Sequence, residues 1–125
     1  MTRISYARPG CYTEELRIVT DSGFEARDFV QVRVYDPAHG RDIAFGWAYM
    51  HPQREAKAGA PITVWNRLKR VCSPVSIDWG DGGPRCAIDD CARHTYRSPG
   101  LYAMTLEARG PRNETVIVKL PAQIE

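Results

Sequence analysis

Helical periodicity is missing from this chain. No stretch repeats apolar residues at the three- and four-residue spacing of an amphipathic helix, which leaves strands and turns to build the fold. Long hydrophobic runs are missing too. Nothing approaches the roughly 18 apolar residues of a membrane-spanning helix, so membrane insertion is not expected. No basic-then-apolar leader opens the sequence, which reads as cytosolic or as a piece of something larger. Charge of one sign is scarce: 17 basic and 15 acidic residues are intermixed and leave a net charge of +2. So weak a field gathers neither nucleic acid nor anionic lipid. The densest basic stretch, residues 67–70, is short; it could touch a phosphate or an acidic glycan, but a solvated strand end or loop is the reading expected.

What the chain does have is a repeated phrase. Tyr96-Arg97-Ser98-Pro99-Gly100-Leu101-Tyr102 restates Tyr6-Ala7-Arg8-Pro9-Gly10-Cys11-Tyr12 ninety residues later. Leu16 matches Leu106 at the same offset, and Val30, Val32 and Val34 match Val116, Val118 and Leu120 if the second copy has a shorter turn. A repeat sets architecture, so it is read first. Too little chain precedes the first copy for a whole unit, and that copy reads as a tail.

Period-two alternation marks seven strands, over residues 11–19, 29–35, 43–49, 62–68, 75–79, 101–108 and 115–120. They are rich in Val, Ile, Thr, Tyr and Trp and are separated by Gly, Pro, Asn and Asp clusters. Short strands with frequent turns and no intervening helix predict an all-β fold, an antiparallel sandwich. In residues 101–108, Tyr102, Met104, Leu106 and Ala108 form the inward face. The same register in the first copy turns Tyr12, Glu14, Leu16 and Ile18 inward, which places the Glu14 carboxylate where the second copy has Met104. A charge facing a core is costly unless paired or wet, so the N-terminal hairpin is expected to cover an incomplete core.

Residues 77–82 read Ile-Asp-Trp-Gly-Asp-Gly, and His94-Thr95-Tyr96 leads into Ser98-Pro99-Gly100-Leu101-Tyr102. This pattern resembles the PKD (polycystic kidney disease) domain family. Ile77 departs from it by standing where the family has its first tryptophan. The resemblance covers residues 43–121 as a full module and residues 4–36 as the last two strands of a preceding one. It implies an immunoglobulin-like sandwich, divided here into a hairpin at 1–36 and a module at 37–125. It marks Asp78, Trp79, Gly80, Asp81, Gly82, His94, Tyr96, Pro99, Gly100 and Tyr102 as structural motif residues, and it implies binding or spacing rather than catalysis. The residues make physical sense beside it. The glycines permit a sharp turn, Asp81 accepts backbone N–H groups across it, and Tyr96 or Tyr102 ties a late strand to upstream backbone.

Sites for chemistry are few. Cys86 and Cys91 flank a four-residue loop and are a candidate disulfide, with Cys11 and Cys72 left free, although four cysteines allow three pairings. Cys72, Cys86, Cys91 and His94 offer zinc-type ligands without the tight paired spacing of zinc modules. Asp78, Asp81, Asp89 and Asp90 offer calcium-type oxygens without an EF-hand spacing. No metal and no cofactor is therefore expected. His39, His51 and His94 lie far apart with no nucleophile signature beside them, and catalysis is not expected. Trp47, Tyr49 and Trp65 alternate in two early strands. They are candidate ligand-binding residues if exposed and core residues otherwise, and the core role is the one expected.

The chain thus reads as a non-catalytic binding or spacer module of a larger extracellular, periplasmic or cell-surface protein. Its expected partners are protein or polysaccharide and adjacent domains of a parent chain. The competing reading is an accessory domain or small subunit of a carbohydrate-active or other hydrolytic enzyme. In either case the N-terminal hairpin covers an edge of the sandwich or pairs with a second chain, in a homodimer for example.

Overall fold

A computed structural model describes residues 3–38, 40, 43–68 and 72–125. Among the described residues nine strands form: β1 (Gly10–Val19), β2 (Glu25–Val34), β3 (Ala48–His51), β4 (Pro61–Asn66), β5 (Val75–Asp78), β6 (Cys86–Ala87), β7 (Cys91–Thr95), β8 (Gly100–Arg109) and β9 (Thr115–Ile124). They make a six-stranded sheet in the order β2-β1-β9-β8-β5-β6 and a three-stranded sheet in the order β3-β4-β7. Among the described residues no helix is long and apolar enough to cross a membrane. The fold is an immunoglobulin-like β-sandwich. Ile62 and Val64 of the small sheet and Ile77, Met104, Leu106, Val116 and Val118 of the large one fill the space between, all at 5% exposure or less. Their alternation with polar neighbours makes each strand half-buried, and their removal from water is the main force closing the two layers.

The repeated phrase folds twice into the same hairpin. Gly10 pairs with Val34 and Val19 with Glu25; Gly100 pairs with Ile124 and Arg109 with Thr115. Each position in the second hairpin stands ninety residues after its counterpart, so the turns are equal in length and Val30, Val32 and Val34 match Leu120, Ala122 and Ile124, four residues later than expected. The turns carry the same bonds. Thr20 N–H donates to Phe24 O and Gly23 N–H to Thr20 O, as Gly110 N–H does to Glu114 O and Asn113 N–H to Gly110 O. Gly23 and Asn113 share positive φ. The tyrosines repeat as well: Tyr6 stacks on Tyr12 at 4.4 Å and Tyr96 on Tyr102 at 4.2 Å. Tyr12 and Tyr102 each donate from the hydroxyl to the carbonyl four residues earlier, Arg8 O at 2.9 Å and Ser98 O at 2.7 Å.

The two copies nevertheless dock by opposite faces. In β8 and β9 the even-numbered residues point into the sandwich. In β1, Cys11 and Thr13 are buried, while Leu16 and Ile18 are 56% and 53% exposed. The expected inward face of Tyr12, Glu14, Leu16 and Ile18 is therefore the outer one. The cause is the docking edge: β1 lies beside β9, parallel to it at Gly10–Thr115 and Cys11–Val116, and Thr13 Oγ1 bonds Ile117 O. The carboxylate of Glu14 is accommodated outside the core by the Tyr6 hydroxyl at 2.8 Å.

Three other strand expectations change. The third strand spans Ala48–His51 instead of residues 43–49, because the chain before it is a loop in which Ile43 is buried and Phe45 lies under the Arg33 guanidinium at 4.1 Å. β6 and β7 are additional. β7 reads Cys-Ala-Arg-His-Thr and turns inward only the small Ala92 and the polar His94, which packs on an aromatic ring. The basic stretch at 67–70 and His39 lie partly or wholly outside the described residues.

Candidate functional site

The motif residues meet at one end of the sandwich. Trp79, 5% exposed, stacks on the His94 ring at 4.4 Å and 6°. The His94 edge meets Tyr96 at 4.7 Å, and Tyr96 stacks on Tyr102. Each such pair adds about 0.5–1.5 kcal/mol beyond its area burial. Polar ties complete the ladder. Tyr96 OH donates to Trp79 O at 2.7 Å, His94 Nε2 lies 2.7 Å from Asp81 Oδ2, and Gly83 N–H donates to Asp81 Oδ1. Partial burial pushes the Asp81 carboxyl up, but the His94 and Gly83 hydrogen bonds outweigh it and hold the group below its ordinary value. Asp78 Oδ1 accepts Gly80 N–H, and Gly80 sits at φ +78° where an added Cβ would run into Ala103 O. Pro99 precedes the turn into β8. This cluster joins the 78–83 turn to the strand entering β8, with its aromatic surfaces satisfied by one another.

The open surface lies on the other side of the small sheet. With Ile62 and Val64 turned inward on β4, Thr63 and Trp65 point outward; with Ala48 and Met50 inward on β3, Tyr49 and His51 point outward. Register pairs Tyr49 with Trp65 and Trp65 with Cys91, and pairs His51 with Thr63 and Thr63 with Arg93. The face therefore has an aromatic row beside a row containing His51 and Arg93. Same-face residues on a strand are about 7 Å apart, which sets the distance between the rows. Tyr49 and Trp65 lie at 6.4 Å and 25°. Arg67 stands 5.6 Å over the Tyr49 ring and donates to its hydroxyl at 3.1 Å, while Arg67 N–H reaches back to Trp47 O. Trp47 is 53% exposed and Trp65 37%, which overturns the core role expected for these aromatics.

Their outward direction was readable from strand parity, since Trp65 alternates out of phase with Ile62 and Val64. Arg67 belongs to the basic stretch at 67–70 that the sequence marks; Arg93 has no sequence signal, because only its cross-strand pairing with Thr63 places it on this face.

All four cysteines are thiols: Cys11 and Cys72 are buried, and Cys86 and Cys91, the candidate disulfide, are exposed. Burial pushes both buried thiols up, Cys72 to about 11. Cys86 sits in the large sheet and Cys91 in the small one. Among the described residues no group of three or more His, Cys, Asp or Glu side chains gathers as metal ligands do. A cleft of about 250 Å³ lies between the hairpin and the β8–β9 turn. Its buried carboxylate, Glu114, already accepts N–H groups from Arg112 and Ala44.

Fold and face together define an immunoglobulin-like sandwich with an open sheet of aromatic and basic side chains. No family model and no curated protein matches the chain. Among solved structures, it is similar to the PKD domain of an M14-like peptidase from Thermoplasmatales archaeon SCGC AB-540-F20, at 16% identity and a TM-score of 0.43, over 62% of this chain and 92% of that one.

Proposed function

We propose that the chain is a non-catalytic binding module of a larger extracellular or periplasmic protein, holding carbohydrate on the outer face of β3-β4-β7. One observation carries this reading: Tyr49 and Trp65 lie on the outer face of the small sheet with Trp47 just before β3, and Trp47 is 53% and Trp65 37% exposed. Clustered large aromatics left in water mark interaction sites, and rigid rings stack on the apolar faces of sugars at small entropic cost. The test is retention on insoluble cellulose, chitin and xylan and in polysaccharide-containing native gels, with Trp47→Ala and Trp65→Ala beside the parent. Loss of retention in either variant supports the face. Equal retention by both would remove these aromatics from the site.

A second reading, in which the hairpin completes a sheet from another chain, is favoured by a different observation. β2 is an edge strand of the large sheet, and Leu16, Ile18 and Val30 leave the outer face of the hairpin apolar, each at 50% exposure or more. Light scattering across a concentration series tests this reading. A mass fixed at one chain would count against self-pairing.

A further inference from the structure

We infer that the glycan taken by this face is acidic, with a carboxylate carried on its sugar rings. This rests on the reading of the aromatic row as a glycan platform and adds the charge of the ligand. Acidic residues number 15 in the chain, yet β3, β4 and β7, which read AYMH, PITVWN and CARHT, contain none. The face instead carries Arg67 at one end of the aromatic row and Arg93 in the adjacent one. A sugar stacked on Tyr49 or Trp65 would extend its ring substituents over neighbouring positions, and an outward Arg93 lies one same-face step, about 7 Å, from the Tyr49–Trp65–Cys91 row. A guanidinium fork matches a carboxylate in two parallel hydrogen bonds, which a neutral hydroxyl cannot reproduce. Arg67 is held in place before any ligand arrives, by its bond to the Tyr49 hydroxyl at 3.1 Å. That preorganisation lowers the entropic cost of recognition.

The competing polyanion is single-stranded nucleic acid, which also stacks on aromatic rings. Its affinity rests on neutralising many closely spaced phosphates. Two arginines on the face and a net charge of +2 supply little of that field. One carboxylate per ring, set beside a stacking surface, fits two arginines beside an aromatic row better.

The test is titration calorimetry of the full chain at 50 mM salt with polygalacturonate, its fully methyl-esterified form, xylohexaose and an oligothymidylate. Binding to polygalacturonate, loss on esterification, and roughly tenfold weakening in Arg93→Gln, the scale of one lost charge-assisted hydrogen bond, are expected. Arg93 is exposed, so this variant keeps its fold, checked by an unchanged melting temperature. Equal affinity for the esterified polymer overturns the acidic assignment while leaving the glycan platform standing. Tighter binding of oligothymidylate than of polygalacturonate overturns it in favour of nucleic acid. No binding to any glycan removes both the assignment and the platform.

Discussion

Replacing Tyr96 by Phe removes one oxygen from the most enclosed aromatic of the molecule. The ring, 1% exposed, keeps its stacking on Tyr102 and its edge contact with His94, so the loss is confined to the hydroxyl that donates to Trp79 O at 2.7 Å. That carbonyl then lacks its side-chain donor next to a buried ring, at a cost of about 1–3 kcal/mol. With an unfolding entropy of about 2.1 cal/mol/K per residue, a chain of 125 residues loses about 4 °C of melting temperature per kcal/mol, or roughly 8 °C for a 2 kcal/mol loss. Tyr102→Phe and Tyr12→Phe delete the same atom from hydrogen bonds that are solvent-exposed. There water takes over the carbonyl, and each change costs at most about 0.5 kcal/mol. Scanning calorimetry of the three variants reads all of this directly. If Tyr96→Phe melts within about 2 °C of the parent, or if Tyr102→Phe matches it, the hydroxyl does not contribute what its burial implies.

Two further outcomes follow from the same turn. Gly80 and Gly82 both have positive φ, but an added Cβ at Gly80 meets Ala103 O whereas one at Gly82 meets open space. Gly82→Ala should cost about 1–2 kcal/mol from backbone conformation alone, and Gly80→Ala clearly more, by urea unfolding; equal costs would show that the approach to Ala103 is easily relaxed. Asp81 has a depressed carboxyl pKa when folded, so its contribution is present above its unfolded value, near 3.8, and fades as pH falls through the folded one. The parent should therefore lose stability below about pH 4 more steeply than Asp81→Asn, while the variant is the less stable at neutral pH; parallel acid limbs would rule the effect out.

Much of the sandwich was readable because hydrophobic alternation and turn chemistry agree. Residues 101–108 and 115–120 show one apolar parity, and the Gly-Asp-Gly turn sits where β5 ends. β7 was hidden, since a strand whose inward residues are Ala92 and His94 offers little apolar parity, and it is the ring of Trp79 that His94 packs against. The orientation of the first hairpin was hidden for another reason. Alternation identifies two faces, but which face is covered depends on the neighbour, and the contact with β9 spans only two register pairs. Of the candidate face, Trp47, Tyr49 and Trp65 stood out in the sequence. Arg67 stood out only as part of a basic stretch, and Arg93 not at all, because their place beside the aromatics is created by contact with Tyr49 and by register.

The duplicated hairpin exposes its two copies to opposite selection. In the strands β8 and β9 the even positions hold no charge, whereas in β1 and β2 the even positions already hold Glu14 and Asp28, and the odd ones, Cys11 and Thr13, are the constrained pair. A substitution map of both segments would show the same two-residue rhythm displaced by one step. Two stretches of common pattern would then diverge in sequence while keeping one backbone, each losing the resemblance that betrays the duplication at the positions where the other must preserve it.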